Sequence, residues 1–160
     1  MRGTPLMLQL MVVYFGPYYL FGIKVTNEYR IWAALIAFVI NYACYFSEIF
    51  RGGIESIPKG QYEAGQVLGL TKVQVFFKIV LFQVIKRITP PMGNEVITLV
   101  KDTSLAQVIA VTELFALAKK QQAAYASIYP LFVAGVFYYV ANLLLSLLFA
   151  YAERKLNYYK

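Results

Sequence analysis

The stretch from Tyr129 to Tyr151 contains no charged residue, and it constrains the solvent in which this chain can fold. A helix needs about 20 predominantly apolar residues to cross the hydrocarbon core of a bilayer, and this stretch is long enough to do so. The whole chain is 60% hydrophobic and 14% charged, whereas about 25% of the residues of a typical soluble domain are charged. These features predict an all-α, polytopic integral membrane protein.

Three further apolar stretches are expected to cross the membrane, which gives about four transmembrane helices in a single domain over residues 1–160. The predicted spans are Leu6–Ile23, Ile31–Ser47, Met92–Leu114 and Tyr129–Tyr151. A polar loop at about 51–72 follows the second span. After it, apolar and basic residues recur with helical spacing from Gln74 to Arg87, which predicts an amphipathic helix at the interface. Pro90 and Pro91 predict a helix boundary or kink before the third span.

The basic residues are divided unequally between the two sides of the membrane that four spans define. One side carries Arg2, Arg51, Lys59, Lys72, Lys78, Lys86, Arg87, Arg154, Lys155 and Lys160, and the other carries Lys24, Arg30, Lys119 and Lys120. Because Lys and Arg favour the cytoplasmic side, the loop at 51–72 and the C-terminus are predicted to be cytoplasmic. This topology also accounts for the net charge of +7, so a nucleic-acid partner is not expected.

The composition excludes several kinds of chemistry. The chain has no histidine and a single cysteine, Cys44, so histidine acid–base catalysis, an intrachain disulfide and a thiolate metal site are ruled out. The sequence also lacks the Gly-x-x-x-x-Gly-Lys-Ser/Thr loop that binds nucleotide phosphates. We therefore expect no catalytic residue, no metal site and no cofactor.

The loop at 51–72 has more internal order than a connector requires. Pro58 and Gly60 are expected to break the preceding helix, and Glu63 and Ala64 begin a short helical patch. The patch ends near Gly69, since glycine is a natural helix-terminating residue. A short surface helix with small residues can dock into a groove on another protein, although this pattern alone is common in soluble helices.

A longer run gives the pattern a context: Arg51-Gly-Gly-Ile-Glu-Ser-Ile-Pro-Lys-Gly-Gln-Tyr-Glu-Ala-Gly, continuing to Leu68-Gly69-Leu70. This run resembles the permease subunits of ATP-binding-cassette importers for polar amino acids. In that family a Glu-Ala-Ala pattern is followed by Gly and then by Ile-x-Leu-Pro. The matching residues here are Glu63, Ala64, Gly69, Ile79 and Leu81. The segments 2–6, 93–95 and 101–105 resemble other motifs of the family.

Two positions depart from the family pattern. Gly65 stands where a second alanine is usual, and this change is expected to loosen the helix by up to about 1 kcal/mol. Phe82 stands where proline is usual, so the helix break assigned there in the family would have to come from Pro90 and Pro91. Family members also have a further span before Arg2, so the chain resembles an N-terminally incomplete permease.

The resemblance implies a permease subunit that moves a polar or basic amino acid, of the glutamine, arginine, lysine or histidine class, across the bacterial cytoplasmic membrane by alternating access. The loop would then couple to a partner ATPase through Glu63 and Gly69, with Lys59, Gly60 and Ala64 beside them. ATP hydrolysis would belong to that cytoplasmic ATP-binding subunit. An extracytoplasmic solute-binding protein would deliver the solute, and a second permease copy or a similar subunit would complete the pathway.

Charged groups within the third span call for an explanation, because each costs about 2.5–3.5 kcal/mol at the bilayer centre on insertion scales. Glu95 and Asp102 are seven residues apart, which places them on one helix face, about 10 Å apart along the axis. One interpretation is that they join helices, with Asp102 paired to Lys101 or to a neighbouring helix. The other, which the resemblance favours, is a substrate site of Glu95, Asp102 and Asn41 that receives an ammonium or other cationic group.

Other functions remain open at this point. The chain could be a channel, a structural membrane-assembly protein or an inactive truncated permease. A membrane enzyme that uses Glu95 and Asp102 as acid and base is a poor alternative, because neither a nucleophile nor metal ligands accompany them. The tyrosines, including Tyr42 and Tyr138, are assigned to packing and interfacial anchoring, and Glu113 is expected to be solvated.

Overall fold

A computed structural model describes residues 3–156, and within this range the chain is helical with no β-strand. The helices are α1 Leu6–Phe21, α2 Asn27–Glu55, α3 Lys59–Val67, α4 Lys72–Val75, α5 Leu81–Asp102, α6 Leu114–Tyr125 and α7 Tyr129–Leu156. A π-helical segment, Phe76–Val80, joins α4 to α5, and a 3₁₀ segment, Thr103–Ile109, follows α5. The all-α prediction is confirmed. Arg2 and Lys160, which entered the topology prediction, lie outside the described residues.

Two of these helices, α2 and α7, are long and apolar enough to cross a bilayer, judged by length and composition. Helix α1 is apolar but has 16 residues, which is shorter than the about 20 residues of a typical span. Helix α5 has 22 residues and carries Glu95, Lys101 and Asp102. Large apolar side chains such as Phe132 and Leu148 are exposed on α7, as expected for a helix whose solvent is lipid.

The third predicted span differs from the observed helix at both ends. Helix α5 begins at Leu81 rather than near Met92, and Pro90 and Pro91 lie inside it. The predicted interfacial helix at Gln74–Arg87 is therefore continuous with the span, through the π-helical segment. Each proline removes one backbone hydrogen bond, and helices in membranes tolerate this loss where hydroxyl side chains join the local bonding. Thr89 does so, since its hydroxyl donates to the carbonyl oxygen of Ile85 at 2.7 Å.

Helix α5 ends where three short polar residues, Asp102, Thr103 and Ser104, follow one another. The Thr103 hydroxyl donates to the carbonyl oxygen of Val100 at 2.7 Å, and the Ser104 hydroxyl donates to that of Lys101 at 2.8 Å. Such side chains compete with the backbone for the last carbonyl groups of a helix, and the chain tightens there into the 3₁₀ segment. The prediction that the helix runs to Leu114 followed hydrophobicity alone and missed this ending.

The chain forms two compact units, of which the first comprises the described residues up to Tyr45 together with Ile97–Leu144. In this unit α1 packs against the 3₁₀ segment, and Leu10 and Ile109 are fully buried. Arg30, near the start of α2, donates through Nη1 to the carbonyl oxygen of Ala110 at 2.9 Å.

The second unit comprises Phe46–Val96 and the described residues from Leu145 onwards. Its core contains five buried aliphatic residues, Ile57, Val75, Val80, Val84 and Ile88. A Cβ atom at Gly93 of α5 would lie 2.8 Å from Cγ of Phe149 of α7, so the glycine permits a close contact between these two helices.

Candidate functional site

Helix α3 carries the predicted coupling residues on the surface of the second unit. Lys59, Gly60, Glu63, Ala64 and Gly69 are all exposed. The predicted helix break lies at Pro58 alone, because α2 ends at Glu55 and α3 begins at Lys59, with Gly60 inside it. The structure thus places these residues on one short helix and its C-terminal turn, accessible to a partner.

The end of α3 explains why glycine occupies position 69. Gly69 has a φ of +73°, in the left-handed region that residues with a Cβ atom adopt only at a cost. Its N–H donates to the carbonyl oxygen of Gln66 at 2.9 Å, and the N–H of Leu70 donates to that of Gly65 at 3.1 Å. This pair of bonds is the Schellman motif, which satisfies the last carbonyl groups of a helix.

The inner face of α3 is held against α4. Gly65 is buried, and a Cβ atom at this position would lie 2.4 Å from Cγ2 of Val75. Helix α4 is itself fixed by Thr71, whose side chain accepts from the N–H of Gln74 at 3.3 Å, while Oε1 of Gln74 accepts from the N–H of Thr71 at 2.9 Å. This reciprocal cap and the Gly65–Val75 contact hold α3 in one orientation on the second unit.

Sequence reasoning missed two apolar residues at the exposed end of α3. Val67 is 88% exposed and Leu68 is 75% exposed. Positions 60, 63, 64 and 67 recur at spacings of three and four and therefore share one helix face. An apolar residue four positions after Glu63 in an otherwise polar loop was the available signal. Apolar side chains this exposed on a short surface helix are suited to contact with another protein.

A polar cluster lies in the first unit, at the C-terminal end of α5. The Tyr42 hydroxyl donates to Oδ2 of Asp102 at 2.8 Å. Tyr42 and its neighbour Asn41 are buried, at 4% and 5% exposure. Asp102 is therefore bonded to a neighbouring helix, as one of the two sequence interpretations expected, but its observed partner is a tyrosine that the sequence had assigned to packing.

The surroundings of Asp102 favour a cationic ligand. Asp102 is half-buried, and a carboxylate in such a position is complemented by a charged donor. A carboxylate offers about four lone-pair positions, so the single bond from Tyr42 leaves acceptor capacity for another donor. Glu95, the second carboxylate of the predicted site, is half-buried and belongs to the second unit.

Glu113 was expected to be solvated, and that expectation is wrong. Its carboxylate caps the N-terminus of α6 by accepting from the N–H groups of Phe115 at 2.7 Å and Ala116 at 2.6 Å. It also accepts from the hydroxyl of Tyr138 on α7 at 3.2 Å. Carboxylates are favoured at helix N-termini, where free N–H groups and the positive end of the helix dipole coincide. This residue stabilises the fold of the first unit.

Comparison with known proteins places this helical chain among the membrane components of transport systems. Residues 1–158 match the family described as binding-protein-dependent transport system inner membrane component. The arginine transport system permease protein ArtQ of Bacillus subtilis (strain 168) is 42% identical, over 98% of this chain and 70% of the relative. The L-cystine transport system permease protein TcyB of the same strain is 40% identical, over 99% of this chain and 67% of the relative.

A third relative and a solved structure agree with these matches. The putative glutamine transport system permease protein GlnP of Rickettsia bellii (strain RML369-C) is 36% identical, over 97% of this chain and 70% of the relative. The crystal structure of an amino acid ABC transporter with histidines superposes with a TM-score of 0.85 at 33% sequence identity. That superposition covers 96% of this chain and 71% of the chain in the crystal structure.

The long apolar helices and the comparisons together define a membrane-embedded permease component. The chain belongs to the family of binding-protein-dependent transport system inner membrane components, because the family match extends over residues 1–158. It is accordingly an integral protein of the inner membrane and a permease rather than an enzyme.

Proposed function

We propose that this chain is the permease subunit of an ATP-driven importer for a polar or basic amino acid. The observation that carries the proposal is helix α3, whose exposed residues Glu63 and Ala64 and glycine cap at Gly69 coincide with the family's ATPase-coupling pattern. The relatives support the solute class, since their names specify arginine, glutamine and L-cystine transport.

The packing of α3 suggests how a partner ATPase would act on the permease. Val75 contacts Gly65 of α3 and belongs to the same core as Val80 and Val84. Force applied to the exposed face of α3 would therefore reach the N-terminal half of α5 through tightly packed side chains. Such packing transmits displacement because protein interiors have low compressibility. ATP binding and hydrolysis by the partner would supply the force for alternating access.

The polar cluster of the first unit supports an amino acid with a cationic group as the solute. Asp102 supplies a half-buried carboxylate, and buried Asn41 adds an amide beside Tyr42 in the sequence. An ammonium or guanidinium group would complement the carboxylate. Glu95 is proposed as a second, separate acidic contact along α5.

The remaining parts of the assembly follow from the family and the charge distribution. We place α3 and the C-terminus on the cytoplasmic side, because the basic residues are concentrated there. A cytoplasmic ATP-binding subunit would dock on α3. A solute-binding protein would deliver the amino acid from the opposite side, and a second permease subunit would enclose the pathway.

Co-purification with an ATP-binding subunit tests the proposal. The tagged chain is co-expressed with the ATP-binding subunit of an amino-acid importer, and capture in detergent is compared for wild type, Glu63→Lys and Glu153→Lys. The two substitutions reverse the same charge, and Glu153 is an exposed residue near the end of a different helix, α7. We expect wild type and Glu153→Lys to capture the ATP-binding subunit and Glu63→Lys to lose it.

Equal capture by all three proteins would reject α3 as the coupling helix, and a channel or assembly protein would give no capture at all.

A further inference from the structure

The bond between Tyr42 and Asp102 joins two distant parts of the chain. The residues are separated by 60 positions in the sequence, and their side-chain oxygens are 2.8 Å apart. A buried phenol hydroxyl usually finds a hydrogen-bond partner, and hydrogen bonds to an ionised acceptor are about twice as strong as neutral ones. The contact therefore holds Oδ2 of Asp102 in a defined position relative to α2.

The Tyr42 ring is held in place by two aromatic neighbours on the same helix. Phe38 stacks on it with the ring centroids 6.3 Å apart and the planes 10° apart, and the Tyr45 ring lies 6.1 Å away. Positions 38, 42 and 45 share one helix face because they are spaced by four and three residues. A side chain fixed by packing on a helix provides a rigid support for a functional group.

Only Oδ2 of Asp102 accepts the Tyr42 hydroxyl, and the carboxylate keeps acceptor positions on Oδ1 for a second donor. Asp102 is half-buried, so a contact between its carboxylate and a cation is screened less than one at an exposed site. The second donor that this arrangement suits is an ammonium or guanidinium group.

We propose that Tyr42 is a positioning residue for Asp102, and that its hydroxyl orients the carboxylate toward the cationic group of the transported amino acid. This inference rests on the proposed function, since an amino acid must reach Asp102. Tyr42 acts through the carboxylate and does not itself contact the amino acid. Loss of its hydroxyl leaves the carboxylate free to rotate, so the bound amino acid must then order it, and affinity falls.

The test compares Tyr42→Phe with Tyr29→Phe in the purified complex of permease and ATP-binding subunit. Each substitution removes one buried or half-buried phenol hydroxyl from α2. The Tyr29 hydroxyl donates to the carbonyl oxygen of Val13 at 3.0 Å, so Tyr29→Phe removes a helix-to-helix bond without touching Asp102. The dissociation constants of L-arginine, L-lysine, L-histidine and L-glutamine are measured by calorimetry, without the solute-binding protein, together with the thermal midpoint of each complex.

We expect Tyr42→Phe to raise the dissociation constant of the amino acid that binds by about tenfold, the loss typical of one hydrogen bond to a charged group. Tyr29→Phe should leave that constant unchanged, and similar thermal midpoints of the two variant complexes would show that both are folded. A weakening confined to arginine and lysine would assign Asp102 to the cationic side chain. Equal weakening for glutamine would assign it to the α-ammonium group, and both results support the positioning role.

Two results would overturn the inference and are distinguishable from each other. If wild type binds an amino acid and Tyr42→Phe binds it equally well, or weakens binding only as much as Tyr29→Phe does, the positioning role is wrong and the proposed function stands. If wild type binds none of the four amino acids, the solute class of the proposed function fails, and the role of Tyr42 fails with it.

Discussion

Gly65 of α3 and Val75 of α4 are packed so closely that a Cβ atom on the glycine would lie 2.4 Å from Cγ2 of the valine. Val75 is 1% exposed, and a β-branched side chain in a helix has one strongly preferred rotamer. The valine therefore cannot rotate away to make room. The side chain of Val75 occupies the space that a methyl group at position 65 would need.

This contact predicts that an alanine at position 65 destabilises the protein. Gly65→Ala should lower the stability of the second unit by about 1–3 kcal/mol through overpacking, although alanine is the better helix former by about 1 kcal/mol. Val75→Ala makes room for the new methyl group, so the double variant should be more stable than the sum of the single changes indicates. Thermal unfolding in detergent and hydrogen exchange of the α3 amides measure both effects. Strict additivity of the two changes would contradict the steric explanation.

A second prediction concerns the left-handed backbone at Gly69. Gly69→Val should destabilise the turn between α3 and α4 by more than about 1 kcal/mol, because a β-branched residue at positive φ is strained. Gly69→Asn should cost less, since asparagine tolerates this conformation best among residues with a Cβ atom. Capture of the ATP-binding subunit should decrease in the same order. Equal capture by the two variants would show that the cap is dispensable for coupling.

The sequence predicted the end of α3 near Gly69, but it placed the start at Glu63, four residues after the observed start at Lys59. Local chemistry marks both ends. Pro58 precedes its first turn and Gly69 follows its last, and both residues restrict the backbone whatever surrounds them. The Gly65–Val75 contact was not predictable in this way, because it depends on how α4 folds back on α3. From the sequence, Gly65 indicated only a weaker helix, whereas in the structure it is the residue that lets α3 pack.

The N-cap of α6 gives a third prediction. Glu113→Ala removes the acceptor for two backbone N–H groups and for the Tyr138 hydroxyl, and should cost about 1–2 kcal/mol of stability. Tyr138→Phe removes one of these three bonds and should cost less. Hydrogen exchange at Phe115 and Ala116 distinguishes the roles, because it should accelerate in Glu113→Ala and stay slow in Tyr138→Phe. Faster hydrogen exchange in both variants would mean that the bond from Tyr138 of α7 to Glu113 makes the main contribution to the stability of this region.

Arg30 supports a fourth prediction. Its guanidinium donates to the carbonyl oxygen of Ala110 at 2.9 Å and to Oδ1 of Asn27 at 3.0 Å, and Cζ lies 5.9 Å from the centre of the Tyr14 ring. Lysine keeps the charge but has a single nitrogen and no planar fork. Arg30→Lys should therefore speed hydrogen exchange at the end of the 3₁₀ segment about tenfold, equivalent to one lost hydrogen bond. Lys24→Ala removes an exposed charge from the segment just before α2 and should leave the exchange rate unchanged. Equal exchange rates in both variants would exclude a role for the guanidinium fork.

The polar cluster shows where sequence reasoning reached its limit. Asp102 and Asn41 were predictable as site candidates because polar groups within apolar stretches are expensive and call for an explanation. Tyr42 was not, because an aromatic residue in an apolar stretch fits packing equally well, and only the fold brings its hydroxyl to a residue 60 positions away. For Glu113 the signal was local, since a carboxylate just before a helix is a favoured N-cap, and it was missed because the start of α6 was not predicted.

The orientation of the chain in the membrane is tested by a fifth prediction. Cys44 is the only cysteine, so Cys44→Ser gives a background in which one cysteine can be introduced on each side. Val67, at the end of α3, and Tyr125, at the end of α6, are both well exposed, and the distribution of basic residues assigns them to opposite sides. Val67→Cys should react with a membrane-impermeant maleimide only in inside-out vesicles, and Tyr125→Cys should react in intact cells.

The same experiment provides its own control, because each variant is accessible in one preparation and protected in the other. The opposite pattern would place α3 outside the cytoplasm, where an ATP-binding subunit could not reach it, and would reject the coupling role of Glu63. If both cysteines are labelled from one side, α3 and α6 lie on the same side of the membrane. The segment between them would then not cross it as a single span. Helix α5, with Glu95, Lys101 and Asp102 along its length, would then have to lie outside the hydrocarbon core.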